Sequence, residues 1–215
     1  MQRIEVSHRI EDGMVTYPGL PEPRSEVLLD YEASRARYEG GVEFRIASLH
    51  LCGNTGTYVD SPRHRYRDGA DVASLPLDRI AHVPCVRIDA GADRRIGESL
   101  FRGLDVRGKA VLVQTGFSRH WRTPQYLSDN PHLDEDACRY LVEAGALFVG
   151  IDSLNIDDVG DLARPAHSIL LGAGVPVCEH MTGLASVPER GGFLHAVPIP
   201  WVGGATFPVR AYVVV

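Results

Sequence analysis

Three places in the chain gather side chains that could bind a cation. In NTGTYVDSPRH, Asp60 and His64 stand four residues apart around Pro62. In RPAHSILLGAG, His167 follows a proline at the start of an expected short helix over 166–172, and in VCEHMTGL, Glu179 closes an expected strand, VPVCE. Two imidazoles and two carboxylates form a mixed nitrogen and oxygen set that suits zinc or manganese, with water able to fill an open position. A carboxylate could also bridge two cations about 3.5–4 Å apart. Each residue has a plainer role open to it. Asp60 before Ser61-Pro62 could organise a turn. His64 among Arg63, Arg65 and Arg67 could be a surface residue, and Glu179 an exposed strand end.

The elements that must position these groups are strands more often than helices. Residues 3–7 read as a first strand, and GMVTYPGLPEPRSE, with three prolines, as an irregular loop. Val42, Phe44 and Ile46 alternate with Glu43, Arg45 and Ala47, which predicts a half-buried strand leading into the first motif. CVRID, AVLVQTG and ALFVGID read as interior strands, and PVRAYVVV as a terminal strand. DEDACRYLVEAG is the clearest helix, with Asp134 as N-cap, acidic residues in the first turn and Gly145 at C′. The interleaving lacks a regular βαβ count and no phosphate-binding glycine motif occurs, so an α/β fold with a mixed sheet is expected rather than a doubly wound nucleotide fold.

A length of 215 residues without repeats or linkers predicts one domain, 1–215. Net charge is −6, which argues against a nucleic-acid backbone as partner. No apolar run is long enough to span a membrane, and MQRIEVSHRI has no signal-like core, so a cytoplasmic protein acting on a small molecule is expected. Cys52, Cys85, Cys138 and Cys178 are scattered without a C-x-x-C pair, which argues against a zinc knuckle or a disulfide framework.

NTGTYVDSPRH aligns without a gap on H-x-G-T-H-x-D-x-P-x-H, and so resembles the signature of the metal-dependent cyclase-like hydrolases, the family of bacterial kynurenine formamidase (arylformamidase) and isatin hydrolase. SHRIEDGMVTYPGLPEP, RHRYRDGADVASLPLDRI, LFVGIDSLNIDD, PAHSILLGAGVPVCEHMTGL and GGFLHAVPIPWVGGATFPVRAYVVV follow the same family's order, so the similarity runs nearly end to end. The resemblance implies an α/β domain of the swivelling β/β/α type, with a mixed, largely antiparallel sheet or barrel and surrounding helices. It also implies ligand slots at Asn54, Tyr58, Asp60, His64, His167 and Glu179, filled in the family by one or two divalent ions, usually zinc or manganese. There a metal-activated water attacks a strained or activated amide or ester carbonyl. Relatives form dimers or tetramers, which implies a homo-oligomer.

Asn54 and Tyr58 depart from that signature, which has histidines in both places. An amide oxygen is a weaker ligand than imidazole and shifts preference from zinc toward manganese or magnesium. A phenol with an ordinary pKa near 10 is a poor neutral ligand. One weakly held metal, or none, is therefore expected in place of two. On the resemblance, Asp60, His167 and Glu179 hold the metal with Asn54 as a weak ligand. His64 is a ligand or the general base, and Tyr58 hydrogen-bonds the substrate. The expected activity is hydrolysis of a small cyclic or aryl amide, ester or lactone. A metal-independent cyclase, dehydratase or isomerase, or a non-catalytic binding paralogue, are the alternatives. His50 is about 13 Å from Asn54 along an extended strand, out of reach of the same ion. His180 could approach only where the strand ends after Glu179, since strand neighbours point to opposite faces. Cys178 reads as a buried packing residue.

Overall fold

The runs that read as interior strands lie side by side in the computed structural model, which describes residues 1–215. In chain order the elements are β1 (Arg3–Glu5), β2 (Arg24–Leu29), α1 (Tyr31–Arg37), β3 (Ile46–His50), β4 (Tyr58–Asp60), β5 (Val83–Asp89), β6 (Arg95–Ile96), β7 (Ala110–Gln114) and β8 (His132–Leu133). There follow α2 (Glu135–Glu143), β9 (Phe148–Ile151), α3 (Pro165–Gly172), β10 (Val177–Glu179), β11 (Gly192–His195), β12 (Thr206–Pro208) and β13 (Tyr212–Val214). A nine-stranded sheet runs β1-β13-β11-β5-β7-β9-β10-β4-β12. Its centre, β5-β7-β9-β10, is parallel and every other pairing is antiparallel, as expected for a mixed, largely antiparallel sheet.

Period-two alternation divides the strand side chains between two cores. Val111, Val113, Val149, Ile151 and Val177 pack with Ala137 and Leu141 of α2 and Ala166 and Leu170 of α3. Ala110, Leu112, Phe148, Val59 and Cys178 face the opposite core with Leu194 and Val213. The α2 boundary follows its sequence: Asp134 Oδ1 accepts from Ala137 N at 2.9 Å, and Gly145 takes φ +83°. All four cysteines are free, and Cys178 is buried. No helix is long and apolar enough to cross a membrane.

Three local expectations need correction. The strand expected within GVEFRIASLHLCG begins only at Ile46, runs to His50 and pairs only with β2, so Val27, Leu28, Ile46 and Leu49 remain exposed rather than half-buried. Alternation marks an extended backbone but does not supply a layer to cover it. The loop read over 13–26 gives up its last three residues to β2. PVRAYVVV is not one strand: Pro208 ends β12 at one sheet edge, where a missing N–H is tolerated, and Tyr212–Val214 pairs near the other edge.

Candidate metal centre

Strand β4 lies between β10 and β12, so Tyr58, Val59 and Asp60 are all buried. Antiparallel register sets Tyr58 opposite Glu179 and Asp60 opposite Val177. The pleat then sends Tyr58, Asp60 and Glu179 to one face, while Val59 and Cys178 join the core behind. Gly53 brings the preceding loop against β12, since a Cβ there would stand 2.6 Å from Thr206 O. After Asp60 the chain turns at once: Pro62–His64 is a single 3-10 turn in which His64 N donates to Ser61 O. That turn folds His64 back over Asp60, with Nδ1 3.8 Å from Oδ1. Helix α3 begins with Pro165, a residue suited to a helix start, and its first turn delivers His167. His167 Nε2 stands 3.7 Å from Asp60 Oδ2 and 3.5 Å from Glu179 Oε1.

Neither oxygen of Asp60 has a hydrogen-bond partner, nor has His167 Nε2, and all three atoms are buried. Buried polar atoms in folded proteins are almost always paired, so three orphans at one point call for a missing partner. Asp60, His64 and His167 offer one ligand atom each, all within 4.8 Å of one another. For ligands near 2.1 Å from an ion, a tetrahedral edge is about 3.4 Å. The observed 3.7 and 3.8 Å run to the two different oxygens of Asp60, and the three ligand atoms lie within 4.8 Å of one another, wider than that edge. The donor types suit a divalent cation, and the three side chains would draw together to hold it.

Electrostatics point the same way. Burial works against a charge on His167. The hydrogen bond to Asp157, then Asp60 and Glu179, overcome it and push its pKa up to about 10. Burial, with the charge of Asp60 beside it, pushes Glu179 up to about 7, against the opposing pull of His167, Tyr58 and Ile156 N–H. Burial first, and then Glu179 and Asp60, raise Tyr58 well above the usual phenol range. A proton on His167 thus answers the carboxylates around it, and a divalent cation would take over that role.

Of the residues singled out in the sequence, Asp60, His64 and His167 converge. Glu179 lies beside them with both oxygens engaged: Oε2 accepts from Tyr58 Oη at 2.6 Å and Oε1 from Ile156 N at 2.7 Å. Tyr58 thus donates its hydroxyl hydrogen bond to Glu179. Asn54 Oδ1 accepts from Thr206 Oγ1 at 3.1 Å, and Asn54 lines the same cavity as His64 and His167. His180 turns away at the end of β10, with φ +54°, into an aromatic cluster where Tyr126 Oη meets its Nδ1 at 3.0 Å. The centre opens into a cavity of about 400 Å³, also lined by Tyr17, Leu20, Arg65, Asn155 and Arg164.

Sequence reasoning missed Asp157. Its Oδ1 accepts from Ala166 N at 2.6 Å, and its Oδ2 accepts from His167 N at 3.2 Å and meets His167 Nδ1 at 2.5 Å. One carboxylate caps α3 and fixes the ring of His167. Its only sequence signal was the acidic pair in LNIDD, just upstream of the helix.

Residues 4–158 match the family described as "Putative cyclase". The chain belongs to this cyclase family. A kynurenine formamidase of Salinibacter ruber (strain DSM 13855 / M31) is 30% identical over 214 residues, covering 98% of this chain and 96% of that protein. The structure of a potential metal-dependent hydrolase with cyclase activity is 27% identical, with a TM-score of 0.80 over 99% of this chain and 96% of that one. Isatin hydrolase A from Labrenzia aggregata, bound to benzyl benzoate, shares the fold at a TM-score of 0.83 and 22% identity, over 99% of this chain and 93% of its own. The resemblance carried by NTGTYVDSPRH is borne out, as is the mixed α/β architecture it implied. The chain is an enzyme of this cyclase family.

Proposed function

We propose that this enzyme hydrolyses an amide, ester or lactone bond of a small cyclic or aryl substrate, at a centre where Asp60, His64 and His167 hold one zinc or manganese ion. The observation that carries the reading is the fully buried Asp60 carboxylate, with both oxygens unpartnered beside His167 Nε2. A cation held there would polarise the scissile carbonyl oxygen and lower the pKa of an attacking water. The chain's own groups do the rest. Asp157 keeps the Nδ1 proton of His167 and leaves the Nε2 lone pair to the cation, the usual office of a carboxylate behind a ligating imidazole. His64 is the most exposed of the three. Glu179 stands 3.5 Å from His167 Nε2 on the cavity wall, its oxygens held by Tyr58 Oη and Ile156 N. Tyr58 and Asn54 stand where the signature has histidines, and Tyr58 serves Glu179 rather than a second cation, which supports one ion over two. The names of the kynurenine formamidase relatives and of isatin hydrolase support cleavage of an amide bond.

Elemental analysis of protein purified without chelator or histidine tag tests this. One zinc or manganese per chain is expected, lost together with aryl-formamide hydrolysis in Asp60→Ala. Full hydrolysis by a metal-free Asp60→Ala protein would sink it. A second reading, a metal-independent cyclase, dehydratase or isomerase, draws on the Glu179–Tyr58 pair, a buried acid near pKa 7 hydrogen-bonded to a phenol. Turnover without metal that depends on Glu179 would favour it. The exposed apolar residues of β2 and β3 support self-association as a dimer or tetramer, which light scattering after size exclusion would read directly.

A further inference from the structure

Two arginines line the cavity beside the metal centre, and neither meets a carboxylate. Arg65 follows His64 directly. Its Nε donates to Ser168 Oγ at 2.8 Å and its Nη2 to Ala163 O at 3.4 Å. Ser168 Oγ in turn donates to Arg164 O at 2.7 Å, so one hydroxyl ties the two arginines together. Arg164 is half-buried, and its guanidinium makes only long contacts, to Asn155 Oδ1 and Asp158 O at 3.4 Å and Val159 O at 3.5 Å. Its neighbour Asp158 is taken by Arg94 at 3.2 Å. Arg164 also holds left-handed backbone, φ 50° and ψ 57°, a strained conformation for a side-chain-bearing residue of this kind. Among the cavity's lining residues the only acid is Glu179, which is 1% exposed and has both oxygens bonded.

Two guanidinium groups without counter-ions, in a cleft of a chain whose net charge is −6, are a place for an anion. We infer that Arg65 and Arg164 form a carboxylate-binding subsite, and that the substrate is a small carboxylate-bearing amide or ester whose acid end they hold while its carbonyl meets the Asp60–His64–His167 centre. Planar donor pairs on guanidinium match the two oxygens of a carboxylate. The position of the carbonyl rests on the hydrolase reading above; the anion subsite itself does not.

The test compares 4-formamidobenzoate with its neutral isostere 4-formamidobenzamide, using wild type and the double variant Arg65→Gln, Arg164→Asn. Asparagine is chosen because it tolerates left-handed backbone. The wild type is expected to prefer the acid, and the ratio of kcat/KM values to fall at least tenfold in the variant, mainly through KM. Arg139→Gln removes the same charge from the surface of α2 and should keep the wild-type ratio. An equal ratio in wild type and double variant overturns the subsite. If neither amide turns over, calorimetry with metal-free protein decides. Binding of 4-formamidobenzoate at least tenfold weaker in the double variant supports the subsite while the hydrolase reading falls. Equal binding, or none by the wild type, overturns it.

Discussion

Asp157→Asn separates a metal centre from a merely buried polar cluster. Three donors converge on the Asp157 carboxylate: Ala166 N, His167 N and His167 Nδ1. A carboxamide has one oxygen for them. If that oxygen faces Nδ1, the new NH2 opposes a backbone N–H at the start of α3. If the amide is flipped, NH2 donates to Nδ1 and drives the ring proton to Nε2, aimed at the metal position. Losing such an outer carboxylate weakens metal affinity by about 10–100-fold, or about 1.4–2.7 kcal/mol. A buried N–H left unpaired costs the metal-free protein about 1–3 kcal/mol besides. Zinc at 100 times its wild-type Kd stabilises the folded chain by about 2.7 kcal/mol. For a chain of this length that is roughly 5–11 °C in Tm. The same zinc concentration should give Asp157→Asn only about 0.4–1.4 kcal/mol, or roughly 1–6 °C. Competition with a chromophoric chelator measures Kd, and melts with and without zinc measure the increment. Asp134→Ala is the control, since Asp134 caps α2 in the same manner but serves no histidine. It should lose about 1 kcal/mol of stability and keep the wild-type zinc Kd. A Kd within twofold of wild type in Asp157→Asn, or an equal loss in Asp134→Ala, would refute the assigned role.

Other expectations follow from the same geometry. Tyr58→Phe leaves Glu179 Oε2 without its donor and should cost about 1–3 kcal/mol in urea unfolding; a neutral result would mean that water takes over the bond. Restoring both signature histidines with Asn54→His and Tyr58→His should raise bound metal from one toward two ions per chain by elemental analysis. Unchanged stoichiometry and affinity would show that the two slots are misplaced. Burial pushes His180 down to about 3, whereas in the unfolded chain it titrates near 6.5. Between those values the unfolded state binds the extra proton, so stability is full above pH 6.5 and falls on acidification by up to about 1.4 kcal/mol per pH unit. His8, pushed down to about 4 by burial, acts in the same direction. Urea midpoints at pH 4.5 and 7 should show a shallower slope in His180→Phe than in wild type.

Local order was the most legible part of the chain. Asp134 and Gly145 bracket α2 because capping depends on neighbours within one turn. Asp60 and His64 meet because a single proline turn joins them. Asp157 was hidden because LNIDD, with Asp161 close behind, offers several equivalent acids, and nothing local says which one reaches Ala166 N. Val42, Phe44 and Ile46 misled because alternation reports backbone extension, whereas burial depends on whether another layer arrives. Arg65 and Arg164 carried no signal in the sequence, since the lack of a counter-ion is a property of the surroundings.

The sequence by itself determined the donor types, the turn that pairs Asp60 with His64, and the two positions where signature histidines are replaced. Only the tertiary structure decided which of those donors are left without partners. Tyr58 and Glu179 are 121 residues apart, and the register of β4 on β10 makes them hydrogen-bonded partners. The same register leaves both Asp60 oxygens unpaired opposite Val177, facing His167 from the first turn of α3. Pairing across such distances follows from how strands and helices pack, and no spacing along the chain encodes it.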